Sequence, residues 1–352
     1  MAPAVDAAPL RGPATNGPPR YLDMQPLQLH ELPAHRDIKT TDGKEGPALA
    51  AFISSVLTEA YEIDFDSDEW ISHGRFPGPR PDYVKMPPLS GTVSDPDINV
   101  LLHVEKRALG KDRSAWLGRK SLHSALDIGY AEMDDLLAQN HCYKEAVYTP
   151  SVLEANELLK WSEEELQKAV AELKPEWNIK TVQMSIFQMF HEMPKALRLS
   201  LLQNRVFHVL CLTAHSTGST SALSQFHTLQ LPVNMSSLQP IQSITSNSHV
   251  IPTSLQYNNP NGTERQKKQN GNKFTEGVYV SLERFTEGES EGAHRWDMMT
   301  KSDAKGITKL APWSTLRKET LTVAAEDVRY VLDEIKKRRR AAMKDAAGAV
   351  AS

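Results

Sequence analysis

Four histidines in the second half of the chain have the chemistry most open to catalysis or metal binding: His191, His208, His215 and His227. A metal site would need three such side chains to converge, usually with a carboxylate. Side chains alternate between the faces of a strand, so His208 and His215 point to opposite faces, and His227 lies beyond a turn. The spacing therefore predicts isolated surface or hydrogen-bonded histidines, and we expect no metal and no cofactor.

Ser121 and His123 share one face of a predicted strand, as a nucleophile and its base would. Such a pair also needs a group that orients the base, and the spacing supplies no acid for that role. The patterns GxxxxGK[ST] and GxGxxG are absent from the sequence, so no nucleotide site is indicated. GxSxG occurs once, at 288–292, but in a turn predicted between two strands, whereas an elbow nucleophile needs a strand followed by a helix. We predict no catalytic residue from these patterns.

Arg119 stands in the middle of the same predicted strand, close to Trp116 and Leu117. A buried arginine needs a partner, because an unpaired charge is costly to remove from water. Arg119 therefore meets a polar ligand head on the concave face of the sheet, or it forms a salt bridge on the outer face. The sequence leaves both alternatives open.

Composition narrows the class of protein. The 352 residues carry a net charge of −4. Since nucleic-acid-binding proteins are usually basic, this charge does not indicate nucleic-acid binding. The two cysteines, Cys142 and Cys211, lack a CxxC partner, so we expect reduced thiols and an intracellular setting. We find no secretory signal and no run of about 18 apolar residues. The expected location is the cytoplasm.

The first half of the chain mixes predicted loops and helices. Residues 1–45, rich in proline, are expected to be a disordered lead, and 77–96 to be a loop. Apolar spacing predicts helices over 46–63 and 130–139 and strands over 114–122 and 152–161. Ser162 with Glu165 has the spacing of a capping box that begins another helix.

The second half changes from a period of 3.6 to a period of two, which indicates antiparallel strands. The predicted strands cover 181–193, 204–215, 226–235, 277–285 and 293–300. Between them, 236–273 is polar and is expected to be a mobile insertion. A long helix follows over 320–343, with Ala324, Val328, Val331 and Ile335 on one apolar face, and 344–352 is expected to be a flexible tail.

Six strings occur in this order along the chain: WLGRKSLH, YTPSVLEANELLKW, VFHVLCLTA, LQLPVNM, EGVYVSLE and MTKSDAKG. As a set they resemble a family of uncharacterised fungal proteins with a START-like domain, over roughly residues 45–340. The resemblance implies an α+β helix-grip fold, in which a curved antiparallel sheet wraps around a long C-terminal helix. The order of elements predicted from periodicity agrees with that fold, and we expect one such domain over 46–343.

In the wider superfamily, the space between sheet and helix takes lipids, sterols or polyketide-like molecules. The resemblance thus implies an interior that side chains fill only in part. Without the resemblance, an apolar face on one strand more often indicates a filled hydrophobic core than the wall of a ligand cavity. The candidate wall residues are Trp116, Arg119, Met184, Ile186, Leu229, Leu231, Val233, Val278, Val280, Leu282, Val328, Val331 and Leu332.

Lys336, Lys337, Arg338, Arg339 and Arg340 form a basic run near the end of the last helix. A cation near the C-terminus of a helix interacts favourably with the helix dipole, by about 0.3–1 kcal/mol. Five consecutive cations are more than this interaction alone would explain. The alternatives are contact with an anionic membrane, at about 1 kcal/mol per cation, a nuclear-import signal, or a solvated helix end.

Three functions follow as hypotheses. The first is binding or transfer of a lipid-like ligand without catalysis, and it rests on analogy of fold. The second is a cyclase or aromatase type of enzyme that folds a polyketide-like substrate in the same cavity, which would need a polar cluster inside. The third is an interaction module with a solid core.

Overall fold

The computed structural model describes residues 21–38, 46–111, 115–192, 204–217, 223–236, 251, 254–288, 292–303 and 313–351. Its helices are α1 (Leu49–Glu62), α2 (Tyr130–Leu137), α3 (His141–Tyr148), α4 (Glu163–Ala171), α5 (Glu264–Lys267) and α6 (Trp313–Ala351). Its strands are β1 (Trp70–Phe76), β2 (Asp82–Met86), β3 (Ile98–Leu102), β4 (Val104–Leu109), β5 (Trp116–Ser124), β6 (Val152–Lys160), β7 (Ile179–His191), β8 (Arg205–Thr217), β9 (Ser224–Pro232), β10 (Thr275–Glu276), β11 (Val278–Thr286) and β12 (Ala293–Asp303).

Within these residues ten strands form one sheet, in the order β1-β4-β5-β12-β11-β9-β8-β7-β6 with β10 beside β8. Every pair along the main path is antiparallel, and the short β10 pairs with β8 in parallel. Strands β2 and β3 form a separate antiparallel hairpin. The order brings β5, from the first half of the chain, next to β12 near its end.

One face of the sheet is covered by α1, α4 and residues 21–38, which share a large apolar cluster with it. Helix α1 contributes a fully buried stripe that includes Phe52, Val56 and Leu57. Helix α4 begins at the predicted capping box: Ser162 Oγ accepts from the backbone N–H of Glu165, and the Glu165 carboxylate accepts from the N–H of Ser162.

The other face is covered by α6 and, around it, by α2, α3 and the β2–β3 hairpin. Ala324, Val328, Val331 and Ile335 are all buried, as their spacing predicts. The long C-terminal helix therefore packs along a large antiparallel sheet, which confirms the predicted α+β, helix-grip class. A sheet with helices on both faces buries apolar side chains on both.

Residues 21–38 near the N-terminus differ from the expectation of a disordered lead. Leu22, Leu27, Leu29 and Leu32 are buried. The backbone N–H of Leu27 also donates to the carbonyl of Pro232. An extended segment can bury leucines one at a time without any periodicity. Residues 1–20 and 39–45 lie outside the described residues.

The expected loop at 77–96 contains β2, and β1, β3 and β4 were not predicted. These strands are five to seven residues long, and prolines flank β2. In strands this short, the alternation of apolar and polar residues is too brief to predict a strand from the sequence.

Two further stretches also depart from the sequence prediction. In the expected insertion, residues 254–273 include the buried Tyr257, whose ring meets those of Phe190 and Phe274 edge-on or tilted. Residues 237–250 and 252–253 lie outside the described part of the chain. Helix α6 continues to Ala351 through most of the expected flexible tail, because the alanine-rich end is a good helix former.

The basic run of α6 forms ion pairs and hydrogen bonds with the rest of the fold. The ion pairs join Lys337 to Glu334, Arg338 to Asp135 and Glu334, Arg339 to Glu132, and Arg340 to Asp97. Arg339 is 7% exposed and also donates to the carbonyls of Pro87 and Asp127, both at 2.7 Å. Most of these cations are thus compensated within the fold, and a membrane or import role would compete with those pairs.

Arg339→Ala should lower the free energy of unfolding by about 2–4 kcal/mol, because it leaves buried carbonyls and a carboxylate without their donor. Arg340→Ala is the matched control, since its exposed pair with Asp97 is worth at most about 1 kcal/mol. Urea-induced unfolding of both variants measures the difference. Equal, small losses would contradict the anchoring role of Arg339.

Candidate functional site

A cavity of about 440 Å³ lies between the N-terminal half of α6 and the sheet. From α6 its wall takes Leu316, Glu319, Thr320, Thr322, Val323, Glu326, Asp327 and Tyr330. From the sheet it takes Arg119, His191, Phe207, Gln230, Tyr279, Ser281, Glu283, Trp296, Met298, Thr300 and Ser302. Residues of α3 and the loop after it, Glu145, Tyr148, Thr149 and Ser151, close one side.

The sheet face that lines this cavity is the polar one. On β11, Tyr279, Ser281 and Glu283 alternate with Val278, Val280 and Leu282, so the two sets point to opposite faces. Strand pairing sets Ser281 opposite Gln230 of β9 and Arg119 opposite Met298 of β12. Polar and aromatic side chains from four neighbouring strands therefore meet under α6.

Aromatic rings supply much of the apolar wall. Phe207 and Tyr279 meet edge-on with ring centroids 4.9 Å apart. Gly277 makes room for this pair, because a Cβ there would lie 2.3 Å from Phe207 Cε1. With Tyr148 and Trp296, these rings give the cavity large, rigid apolar surfaces.

Arg119 is the central cation of the site and is 1% exposed. Its Nε donates to the carbonyl of Ala324 in α6 at 2.7 Å, and its guanidinium lies 3.6 Å from the ring centroid of Trp296. Nη2 is 3.9 Å from Glu283 Oε2. Burial lowers the pKa of Arg119, Glu283 and Asp327 oppose that change, and the side chain stays cationic.

Glu283 links the arginine to two further groups. Trp296 Nε1–H donates to Glu283 Oε2 at 2.8 Å, and His141 Nε2 lies 3.9 Å from Oε1. The other ring nitrogen of His141 donates to the carbonyl of Leu137, which leaves Nε2 toward the acids. Burial opposes the charged imidazole, yet the nearby Glu283 and other groups raise the pKa of His141.

A hydrogen-bonded chain holds the second acid, Glu145. Ser281 Oγ donates to Gln230 Oε1 at 2.9 Å, and Gln230 Nε2 donates to Glu145 Oε2 at 3.1 Å. Burial raises the pKa of Glu145, while His141 and Gln230 oppose part of the rise. The amide thus fixes the carboxyl at the cavity wall.

Asp327 on α6 completes the acid cluster. Burial, with added repulsion from Glu145 and Glu283, raises the pKa of Asp327 to about 8, although Arg119 opposes the rise. At neutral pH this carboxyl is mainly protonated and can donate a hydrogen bond. Arranged around one guanidinium, these groups can bind a polar ligand end or exchange protons with it.

Of the predicted wall residues, the structure places Arg119 in the cavity. Trp116, Met184, Ile186, Leu229, Leu231, Val233, Val280 and Leu282 lie instead in the apolar cluster shared with α1 and α4. Val278 shares their side of β11, and Val328, Val331 and Leu332 pack in the second cluster, with α2 and the β2–β3 hairpin. Strand alternation separates two faces but does not say which of them borders a cavity.

The candidate catalytic pair does form, with His123 Nε2 and Ser121 Oγ 3.0 Å apart. Both are buried outside the cavity wall, and burial together with Arg119 lowers the pKa of His123 to about 3. The four histidines considered first stay dispersed: His191 lines the cavity, His215 pairs with Asp134, and His208 and His227 lie on the other face of the sheet.

Sequence reasoning missed Glu145, Glu283, Asp327 and His141. Two signals were available. Asp327 interrupts the apolar stripe of α6 next to Val328, and Glu283 alternates with apolar residues in the predicted strand 277–285. The sequence carries no comparable signal for His141 and Glu145, because only the packing of α3 against the sheet brings them to the cavity.

A larger void of about 730 Å³ lies between residues 29–50 and α4, on the opposite face of the sheet. It borders both ends of the segment 39–45, which is outside the described residues, so we assign no site there. No helix in the described ranges is long and apolar enough to span a membrane. In that same part of the chain, His, Cys, Asp and Glu side chains do not gather into a group that could hold a metal ion.

A family model with the description "Protein of unknown function (DUF3074)" matches residues 116–335. The chain belongs to this family. The match spans β5 to α6, and so contains every strand that lines the cavity. A fungal source, implied by the resemblance of the sequence, stays a prediction.

Among solved structures, one similar chain is the human StarD13 (DLC2) lipid transfer and protein localization domain. It is 10% identical, with a TM-score of 0.35, and the alignment covers 71% of this chain and 89% of that one. No curated protein matches.

The raised pKa of Asp327 predicts a stability that depends on pH. The folded state keeps a proton on Asp327 up to about pH 8, whereas the unfolded chain releases it near its ordinary pKa of 3.8. Raising the pH from 5 to 8 should therefore lower the unfolding free energy of the wild type by at least about 1 kcal/mol more than that of Asp327→Asn. Urea unfolding at pH 5 and pH 8 measures these free energies. The control is Asp333→Asn, at an exposed position of the same helix, whose unfolding free energy should change with pH as that of the wild type does. Parallel profiles for wild type and Asp327→Asn would contradict the prediction.

Proposed function

We propose that this protein binds or transfers a hydrophobic, lipid-like ligand, such as a lipid, a sterol or a polyketide-like molecule, in the cavity between the sheet and α6. The observation that carries the proposal is the cavity of about 440 Å³. Ligand sites commonly measure about 300–1,000 Å³ and combine apolar walls with a few placed polar groups. Rings of Tyr148, Tyr279 and Trp296 beside the Arg119 cluster match that description.

The size of the cavity weighs against the solid-core interaction module. Protein interiors are close-packed, with few voids larger than a water molecule. A void of this size at the polar face of a sheet, beneath a helix, is unusual for plain core. Val323 of α6 is 40% exposed and borders the cavity, so this part of the helix forms both wall and surface.

Filling the cavity should abolish binding. Met298→Trp adds an indole to the wall, and we expect at least a tenfold loss in saturable uptake of a fluorescent sterol or fatty-acyl probe. Lys301→Trp is the control, because residue 301 lies on the same strand and covers Trp116 on the opposite face.

Native mass spectrometry of the purified protein is the companion measurement. Small molecules should be retained by the wild type and by Lys301→Trp and lost from Met298→Trp. Recovery of no ligand, together with no saturable uptake by the wild type, would overturn the proposal.

The acid cluster favours a second candidate, a cyclase or aromatase type of enzyme acting on a polyketide-like substrate in the same cavity. Ring closure of the aldol type needs a base that removes a proton next to a carbonyl and an acid that protonates the oxygen of the attacked carbonyl. Glu145 has a raised pKa suited to the base, and the protonated Asp327 is suited to the acid.

Turnover of a poly-β-keto thioester tests this candidate. Under the enzyme hypothesis, Glu145→Gln should reduce turnover at least a hundredfold while binding of the thioester changes less than about threefold. Binding without any product from the wild type would leave the non-catalytic role as the function.

A further inference from the structure

The charge of the cavity wall restricts the polar end of the ligand, an inference that rests on the proposed function. The acidic side chains in the wall are Glu145, Glu192, Glu283, Glu319, Glu326 and Asp327. The lysine and arginine side chains of the described wall amount to Arg119 alone. An anionic ligand end would therefore enter a site whose carboxylates repel it.

Arg119 does not offset that repulsion, because its charge is already engaged. It is paired with Glu283, stacked on Trp296 and donating to Ala324 of α6. A carboxylate or phosphate head would have to displace Glu283 from the guanidinium and leave that buried acid beside Trp296 Nε1–H and His141. Separating the buried ion pair in this way is strongly unfavourable.

One hydrogen-bonding group of the arginine is nevertheless unused. Arg119 is 1% exposed, and its Nη1 has no hydrogen-bond partner among the described residues. A buried donor without an acceptor is costly. An uncharged oxygen on the ligand would satisfy this donor without competing for Glu283.

Glu145 and Asp327 are carboxyls, so a cationic group of the ligand would suit them. Glu145 Oε2 accepts from Gln230 and lies 3.7 Å from His141 Nε2. Burial and repulsion between the acids nevertheless raise the pKa of both Glu145 and Asp327. A cation placed between them would favour their ionised forms and relieve that mutual repulsion.

We infer that the ligand is a cationic amphiphile of the amino-alcohol class, with its ammonium group at Glu145 and Asp327 and its hydroxyl oxygen at Arg119. Its hydrocarbon part lies along Tyr279, Phe207 and Met298. Amphiphiles with an anionic head are rejected.

Four probes with the same twelve-carbon chain test the inference: dodecylamine, dodecanol, dodecanoate and the vicinal amino alcohol. Each is titrated below its micelle concentration, at pH 7.5, by displacement of Nile red from the purified full chain. We expect the amino alcohol to bind most tightly, then dodecylamine, then dodecanol, with dodecanoate at least tenfold weaker than dodecylamine. Dodecanoate or dodecanol binding as tightly as dodecylamine would overturn the inference and leave the proposed function intact. If all four fail to bind, the proposed function fails and takes this inference with it.

Variants separate charge from shape. The double variant Glu145→Gln, Asp327→Asn should weaken dodecylamine at least tenfold and change dodecanol less than about threefold. Glu164→Gln, an exposed position of α4 on the other face of the sheet, should change neither. Equal weakening of both probes in the double variant would show that the acids act through cavity shape and would overturn the inference. Urea unfolding confirms that each variant is folded.

Discussion

The burial of the Arg119 guanidinium is the interaction on which the arrangement of the site depends. Removing this cation from water is costly, and the cost is offset by a carbonyl of α6, the face of Trp296 and the carboxylate of Glu283. These partners come from the helix and from two strands, β12 and β11, so the arginine sets how α6 lies over the sheet. One face of α6 packs through Val328 and Val331, and a neighbouring face, with Val323, Asp327 and Tyr330, borders the cavity.

The sheet can hold both a solid core and a cavity because each face is covered by helices. The apolar face, with Leu229 and Leu282, closes against α1 and α4 and carries much of the hydrophobic stabilisation. The polar face is then free to present Ser281 and Glu283 to the cavity. A cavity lined only by leucine and valine would gain by collapsing, whereas charged groups that need hydration or a ligand resist collapse.

The sequence predicted most of this fold but little of the site. Long elements with clear periods, such as α6 and β7 to β9, follow from local pattern, and so does the capping box at Ser162. Short strands such as β2, and the leucines of 21–38, gain their order from long-range packing that no local pattern encodes. At the site, the sequence leaves two alternatives for Arg119, and the structure places it against α6 and the cavity, paired there with Glu283. The apolar residues expected beside it lie on the opposite face, because alternation identifies two faces and only the covering helices distinguish them.

Burial disfavours the ionised forms of Glu145 and Asp327, since it raises the pKa of both carboxyls. Replacing a buried charged cluster with well-packed apolar residues is often neutral or stabilising, so we do not expect these two acids to stabilise the fold. Stability comes from elsewhere: the apolar layer under α1 and α4, and the anchoring of α6 by Arg339 at its far end. Proteins commonly break a local packing rule where function requires it and compensate at a distance. One face of α6 is thus firmly packed while a neighbouring face borders acids and an open volume, an arrangement that suits the proposed ligand site.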